Sequence, residues 1–578
     1  MESIIKYKLS VKHPDSGDII WIENTDDIKI YDMDNKYIKY KNYEEEEELN
    51  NKMKKLKLDN ECIVNDILGE IYNINEFNKE QLDMIRIMVN GILNKKKYIS
   101  LTGPAGSGKS YTMLNMFKYF KDILKNYNIC FVAPTNVIVQ RCKENDDIIS
   151  PYFKNTEYLT VSQLLGERLT YNNNGESIFK RVNKKMLLNK YDIIIIDESS
   201  MVGNEKIKCI LDELRNGICM FIGDKNQLNP VNEGENMVLH RSDVNLCINM
   251  RCNIKVLNKI FNYIIKEIEI CDKFGYKYNK KMFDVFLDKM IKYVDKKNNN
   301  KTLIYLKNKD EFIDTYINRY KLLDSIICNY TNNECVKLNE EIKDKIIKEN
   351  NIKVIDGKYY KGQQLIFMRR YENKIKYMTS EIVKIDNIEL DEYKLKEIIV
   401  EDIYSINCDN DIINIEILYD KIAENGLAKD FKKILDKFNS VDEIGVNKLY
   451  VYNKKNGRSK VNYINVVKKM EENIYEKLIE DTKKQIDRVN KKYKDDFVRD
   501  YIVVGLYKLL DKYRINIFAN IVDGYSATCH KLQGNTINTI FVNLEDILKM
   551  CDSDIKNKLK CIYTALTRAS DMVVIYKK

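Results

Sequence analysis

Residues 103–110 read GPAGSGKS, a match to GxxxxGK[ST], and their surroundings suit the match. A short apolar strand, Tyr98–Leu101, runs into the segment, and a helical pattern carrying Met113, Met116, Phe117 and Phe120 leaves it. A turn of this kind binds phosphates. The stretch Gly103, Pro104, Ala105, Gly106, Ser107, Gly108, Lys109, Ser110 and Tyr111 is therefore a candidate nucleotide site. Its backbone N–H groups wrap the phosphates, Lys109 meets the β- and γ-phosphates, and the Ser110 hydroxyl ligates Mg²⁺. The chemistry also needs a carboxylate on a second strand. YDIIIIDESSMV supplies it: Ile193–Ile196 read as a buried parallel strand that ends in Asp197-Glu198. Asp197 would hold Mg²⁺ through water or Ser110, and Glu198 would polarise the attacking water. Together these elements imply cleavage of a nucleoside triphosphate, and they say nothing of what the energy drives.

Two further stretches bear on that question. ICMFIGDKNQLNPV reads as another strand, closed by Gly223-Asp224, with Gln227 three residues on. An amide there can accept from water and donate to a γ-phosphate oxygen, so it can register hydrolysis. Near the other end of the chain, GYSATCHKLQGNT (524–536) contains His530, one of three histidines, beside Gln533-Gly534. Alone, such a histidine reads as a satisfied core or turn residue.

The company it keeps changes that reading. GDKNQLNPV resembles motif III of superfamily 1 helicases, GDxxQLxPV, and with DES it favours the B branch, which includes the RecD, Dda and Pif-type helicases. Other segments follow in chain order. FNKEQLDMI (77–85) resembles the Q motif, which implies that Gln81 reads adenine. FVAPTN (131–136) resembles motif Ia and LTVSQLLG (159–166) motif Ib, implying nucleic-acid contacts from Pro134, Thr135, Asn136 and Ser162. INMRCN (248–253) is similar to motif IV, with Arg251 as an arginine finger, and YTALTRAS (563–570) to motif VI, with Arg568 as the second. SIICNYTNNECVKLN (325–339) is similar to the strand and helix ILxxTNxxVxxLN. SATCHKLQGNT resembles motif V, xxTxHKxQGxT. There the resemblance implies that Thr528, His530 and Lys531 meet the nucleic-acid backbone while Gln533 and Gly534 face ATP. It covers roughly residues 77–251, 325–390 and 520–576, and it rests on the order of the motifs rather than on any one beyond the phosphate loop.

Positioning these residues requires an α/β fold. A chain of 578 residues is too long for one core, so about three or four compact units are expected. The strand–helix alternation predicts two RecA-like parallel-sheet motor domains with ATP between them. The first is expected at 76–240, with a hairpin insertion at 166–190 whose Asn-Asn-Asn-Gly turn separates strand formers. The second is expected in two parts, 241–357 and 519–578. Between them, 358–518 is expected to hold a small SH3-like β-barrel and a charged amphipathic helix over 461–494, with apolar residues at 467, 470, 474, 478, 486, 489 and 493. Arg369 and Arg370 in this insertion carry at most a weak signal for phosphate contact. Residues 1–75 read as an accessory region of short strands followed by an acidic run, Glu44–Glu48, which belongs away from a polyanionic track.

Bulk composition bounds the function loosely. Net charge is +9, mildly basic, which permits a nucleic-acid partner without demanding one. The fourteen cysteines form no CxxC pair, so reduced thiols are expected and a zinc site is not. No signal-peptide core and no run of eighteen apolar residues occurs, so an intracellular, soluble chain without membrane contact is expected. The resemblance then implies an ATP- and Mg²⁺-dependent, monomeric, 5′-to-3′ motor on single-stranded DNA and its duplex junctions. Two alternatives stand beside it: a viral-type RNA helicase, and an ATP-gated clamp that does not unwind.

Overall fold

The computed structural model describes residues 8–12, 19–23, 29–31, 37–38, 63–69 and 71–72 and, from 76 onward, all but 145–148, 150, 152, 154, 172–176, 182–186, 231–233, 250–254, 299–300, 320–324, 373–375, 408–414, 425 and 454–460. The chain divides into two compact units, Met1–Ile74 and Asn75–Lys578. In the first, strands Lys8–Lys12, Ile19–Glu23, Lys29–Tyr31 and Tyr37–Ile38 form an antiparallel meander, and residues 63–69 are helical. The acidic run Glu44–Glu48 lies outside the described residues.

The second unit contains two wholly parallel sheets. One has six strands in the order Val244–Asn245, Tyr98–Thr102, Ile218–Gly223, Ile193–Ile196, Ile129–Ala133 and Thr156–Thr160. Its centre is apolar throughout: all four isoleucines of Ile193–Ile196 are fully buried, as a strand covered on both faces demands. The other sheet has five strands in the order Leu303–Leu306, Ala569–Tyr576, Ile537–Asn543, Ser325–Asn329 and Ser526–Thr528. Its last-listed strands come from either side of a long excursion, so chain segments two hundred residues apart share one core, with Ile326, Cys328, Ile540, Val542 and Val573 at its centre. Lys109, Asp197, Gln227, Pro134, Ser162 and Thr528 stand at or just beyond the carboxyl ends of these strands, where open α/β sheets place their ligands, whereas Gln81 lies on helix Lys79–Leu93 and Arg568 precedes strand Ala569–Tyr576. A hairpin, Glu167–Tyr171 with Ser177–Arg181, leaves the first sheet, and its turn lies outside the described residues.

The excursion is built differently. Strands Asn462–Val467, Glu443–Asn453, Ile382–Lys394, Gln364–Phe367 and Ile521–Asp523 form an antiparallel sheet. It curls back on itself: Ala519 N donates to Asn465 O at 2.8 Å, drawing its ends together around Leu365, Val383, Leu449, Val451 and Ile464. The expected helix over 461–494 is corrected here. Residues Asn462–Val467 are a strand, and the helix is Lys469–Lys492. The segment NYINVV alternates and is rich in β-branched residues, and Glu443–Asn453 offers it an edge, so tertiary pairing overrides the helical reading. The buried face also differs from the expected one. It is Tyr475, Leu478, Thr482, Ile486 and Val489, while Met470 and Ile474 are exposed. Nor is the helix alone. Helices Val400–Asn407, Ile415–Ala423, Leu427–Phe438 and Val504–Asn516 pack with it around Phe431, Ile434, Ile486, Ile502 and Leu506, a helical core the sequence did not announce. Arg369 is paired with Asp511 at 3.2 Å. Among the described residues no helix is long and apolar enough to cross a membrane.

Candidate functional site

The phosphate loop joins strand Tyr98–Thr102 to helix Lys109–Tyr119. Two glycines are dictated by close approach. A Cβ on Gly103 would sit 2.8 Å from Leu246 Cβ, and Gly108, at φ 82°, would drive one to 2.6 Å from Gln81 Nε2. Lys109 Nζ is folded onto the loop, donating to Gly103 O at 2.7 Å and Pro104 O at 3.0 Å. Ser110 Oγ donates to Asp197 Oδ2 at 2.9 Å, so the two groups expected to share Mg²⁺ already touch. Burial, reinforced by the neighbouring Glu198, raises the Asp197 carboxyl above its ordinary range. Glu198 itself has φ 49°, a left-handed conformation unusual for a side chain of its kind, which ends the strand abruptly at the cleft.

A cleft of about 430 Å³ collects groups from both parallel sheets. Lys109, Ser110, Asp197, Glu198 and Gln227 line it from the first, and Gly534 and Arg568 from the second. Gln533 reaches across as well: its Nε2 donates to Gln227 Oε1 and to Leu228 O, both at 3.3 Å. Arg568 is buried and held on carbonyls of its own sheet, Nε on Thr564 O at 3.0 Å and NH1 on Asn535 O at 3.4 Å. Gln81 lines the same cleft, with Nε2 3.5 Å from Ser107 O. Arg251, the other expected finger, lies outside the described residues.

Three residues that sequence reading passed over belong to this site. Asp224 is fully buried beneath the loop; burial pushes its carboxyl up, while the charge of Lys109 works against that. It accepts from Ala105 N at 3.1 Å, from Asn226 N at 3.0 Å and from Tyr563 OH at 2.9 Å. It thus ties the phosphate loop to the segment carrying Gln227 and to the helix that leads to Arg568. Both Asp224 and Tyr563 stood inside motifs already recognised, GDKNQL and YTALTRAS, but their partnership is visible only in three dimensions. Arg141, on helix Asn136–Glu144, donates through NH2 to Gly534 O and so bridges the sheets. No sequence signal marked it.

The expected nucleic-acid contacts fall into two groups. Pro134, Thr135 and Asn136 follow strand Ile129–Ala133, and Ser162 follows its neighbour Thr156–Thr160; Ala133 and Thr160 are in register. Ser162 Oγ accepts from Lys206 Nζ at 2.8 Å, and the same ammonium meets Glu167 at the hairpin base. Thr528 ends its strand opposite Asn329, with His530 and Lys531 on the short helix Cys529–Leu532 that follows. Thr528 is buried, while His530 and Lys531 are half-buried.

Residues 87–233, the segment bearing the phosphate loop, Asp197-Glu198 and Gln227, match the AAA domain family model. The chain is 25% identical over 531 residues to an uncharacterized protein of Acanthamoeba polyphaga mimivirus, covering 85% of this chain and 98% of that one. It is 30% identical over 150 residues to the RecBCD enzyme subunit RecD of Buchnera aphidicola, covering 23% of each. The chain thus resembles the AAA domain over one segment and RecD over less than a quarter of its length. Solved structures similar to it include Pif1 helicase from Candida albicans, 14% identical with a TM-score of 0.39 over 87% of this chain and 95% of that one. Another is Pif1 helicase from Bacteroides in complex with ADP-AlF3 and single-stranded DNA, 13% identical with a TM-score of 0.41 over 85% and 91%.

Proposed function

We propose that the chain is an ATP-driven motor that moves 5′-to-3′ along single-stranded DNA and separates the duplex ahead of it. One observation supports this reading above the rest. The triphosphate-handling groups Lys109, Ser110, Asp197 and Glu198 share a cleft with Gly534 and Arg568, which belong to a different sheet. Chemistry in such a cleft is felt by both sheets at once.

Ser110 and Asp197 present oxygen donors only, which suits Mg²⁺, a hard cation that takes one or two carboxylates plus phosphate oxygens. Bound there, it would offset the charge that builds on the phosphate oxygens. The chain's own residues do the rest. Lys109 exchanges the carbonyls of Gly103 and Pro104 for β- and γ-phosphate oxygens. Glu198 orients and polarises the attacking water, and Gln227 holds that water and senses the γ-phosphate. Arg568 leaves Thr564 O and Asn535 O for the γ-phosphate, with Arg251 as its companion. Fingers of this kind contribute about 10³–10⁵ in rate, so closure of the cleft and hydrolysis become one event. Gln533 links that event to Thr528, His530 and Lys531 five residues or fewer away, on a loop that grips the strand in this reading. Closure slides one group of backbone contacts towards the other, Pro134–Asn136 with Ser162, and reopening completes a step. The hairpin at 167–181 serves as the wedge at the junction.

An unwinding assay on 5′-tailed and 3′-tailed DNA duplexes, with wild type and Lys109→Ala, tests the whole reading. Only the 5′-tailed substrate should open, only with ATP and Mg²⁺, and not with the variant. Opening of the 3′-tailed substrate would reverse the polarity. Equal stimulation of ATP turnover by matched RNA and DNA oligonucleotides would overturn the choice of track.

A further inference from the structure

A second set of polar contacts joins the two parallel sheets outside the nucleotide cleft. It centres on Glu235, eight residues beyond Gln227. The backbone there is fixed to the first sheet. Asn204 Nδ2 donates to Glu235 O at 2.8 Å, and the buried Asn236 donates through Nδ2 to Ser199 O at 2.7 Å. Ser199 directly follows Glu198. The Glu235 side chain turns to the second sheet. Its Oε1 pairs with Lys556 and, at 3.4 Å, with Lys560, on successive turns of helix Ile555–Leu566. Lys556 also meets Asp272 on helix Lys255–Phe274, and Lys560 donates to Asn229 Oδ1 at 3.1 Å.

We infer that Glu235 is a positioning residue for hydrolysis: it holds helix Ile555–Leu566 against the turn that carries Glu198, and so sets where Arg568 stands relative to the water that Glu198 polarises. This rests on the ATP-hydrolysing reading above. The helix meets the first sheet along one face. Lys556, Lys560, Tyr563 and Thr564 stand at i, i+4, i+7 and i+8, which places them on one side of it. Tyr563 and Thr564 dock its carboxyl end: Tyr563 OH donates to Asp224 Oδ2 at 2.9 Å, and Thr564 Oγ1 accepts from Leu228 N at 3.1 Å. Adjacent contacts of that kind leave a helix free to pivot. The lysines, one and two turns back, fix its angle. Arg568 comes just after the last turn, so an error in that angle is an error at the guanidinium. Lys560 is 2% exposed, and a buried charge deprived of its partner is far costlier than a surface pair undone. Burial opposes the charge on Glu235, but the hydrogen bond from Lys556 and the charge of Lys560 prevail and hold its carboxyl below the ordinary range. A cluster that only added stability would need no tie to Ser199. This one joins the residue after Glu198 to the helix before Arg568, so both sides of the reaction are referred to a single carboxylate.

The test measures ATP turnover by the full chain with saturating single-stranded DNA, and binding of ADP with and without aluminium fluoride, which mimics the phosphoryl group in transfer. Glu235→Ala should lower kcat by about ten- to a hundredfold, the cost of a misplacement near 1 Å, with KM for ATP within about twofold. It should weaken binding of ADP with aluminium fluoride by a similar factor and leave binding of ADP alone unchanged. In an Arg568→Ala background the same substitution should weaken aluminium-fluoride binding no further, because Glu235 acts through that arginine. Lys556→Met, which removes the less buried of the two lysines, should show a smaller loss of the same pattern. A folded Glu235→Ala chain with kcat within about twofold of wild type overturns the inference. So does an equal loss of aluminium-fluoride binding with and without Arg568, the mark of a merely structural role. If Glu235→Ala does not fold, Lys556→Met decides by the same two criteria. A wild-type chain that hydrolyses no ATP would instead refute the ATP-hydrolysing reading, and an Arg568→Ala chain with wild-type turnover would refute its use of Arg568.

Discussion

The nucleotide cleft and the excursion at 358–518 hold themselves together by opposite means. The cleft is assembled from buried polar groups: Asp224, Gln227, Gln533 and Arg568 are each less than a tenth exposed and each hydrogen-bonded. The excursion relies on apolar packing, with Phe431, Ile434, Ile486, Ile502 and Leu506 enclosed by helices whose outer faces are charged. Buried polar networks fix geometry at little net gain in stability, because each bond made replaces one to water. Apolar cores do the reverse. One region is thus built to position, the other to persist.

Substitutions can break or sharpen that contrast. Lys109→Ala should have the largest effect, lowering ATP turnover by about 10²–10³ while thermal unfolding stays near wild type. A large fall in stability instead would mean that the loop is structural, and the contrast would fail. Next is Phe431→Ala, which empties a 2%-exposed site in the helical core and should cost about 3–5 kcal/mol in denaturant unfolding. Turnover per folded molecule without DNA should be kept; losing it would show that the excursion also shapes the cleft. Tyr563→Phe removes one donor from the buried Asp224 carboxylate and should cost about 1–3 kcal/mol, with a rise in KM for ATP from a looser phosphate loop. The smallest effect is expected at the surface. Hydrogen bonds from Lys280 and then Lys558 lower the Asp552 carboxyl from 3.8 to about 2. The folded state thus favours the ionised form, so this contribution is complete above pH 3.8 and is lost as pH falls through about 2. Asp552→Asn should therefore lower the melting temperature by roughly 1 °C at pH 7, and that difference should shrink as pH falls from 3.8 towards 2.

Legibility followed the same division. Lys109, Ser110, Asp197, Glu198 and Gln227 were readable because each stands in a short stretch whose function needs consecutive residues: a loop that must turn, a strand that must end in acid. The helical core of the excursion was not. Its helices are Lys- and Glu-rich, and the apolar positions of Lys469–Lys492 drift enough that Met470 and Ile474 read as core yet lie exposed. NYINVV fits either period, and only the edge offered by Glu443–Asn453 makes it a strand.

The sequence by itself determined the phosphate loop, the acidic strand end and the order of the motifs, since each depends on neighbours along the chain. Which distant groups meet was decided by the tertiary structure: Arg141 on Gly534, Tyr563 on Asp224, Gln533 on Gln227, and Glu76 between two tyrosines. Hydrogen bonds act over about 3 Å and carry no trace of sequence separation, so no periodicity along the chain could have announced them.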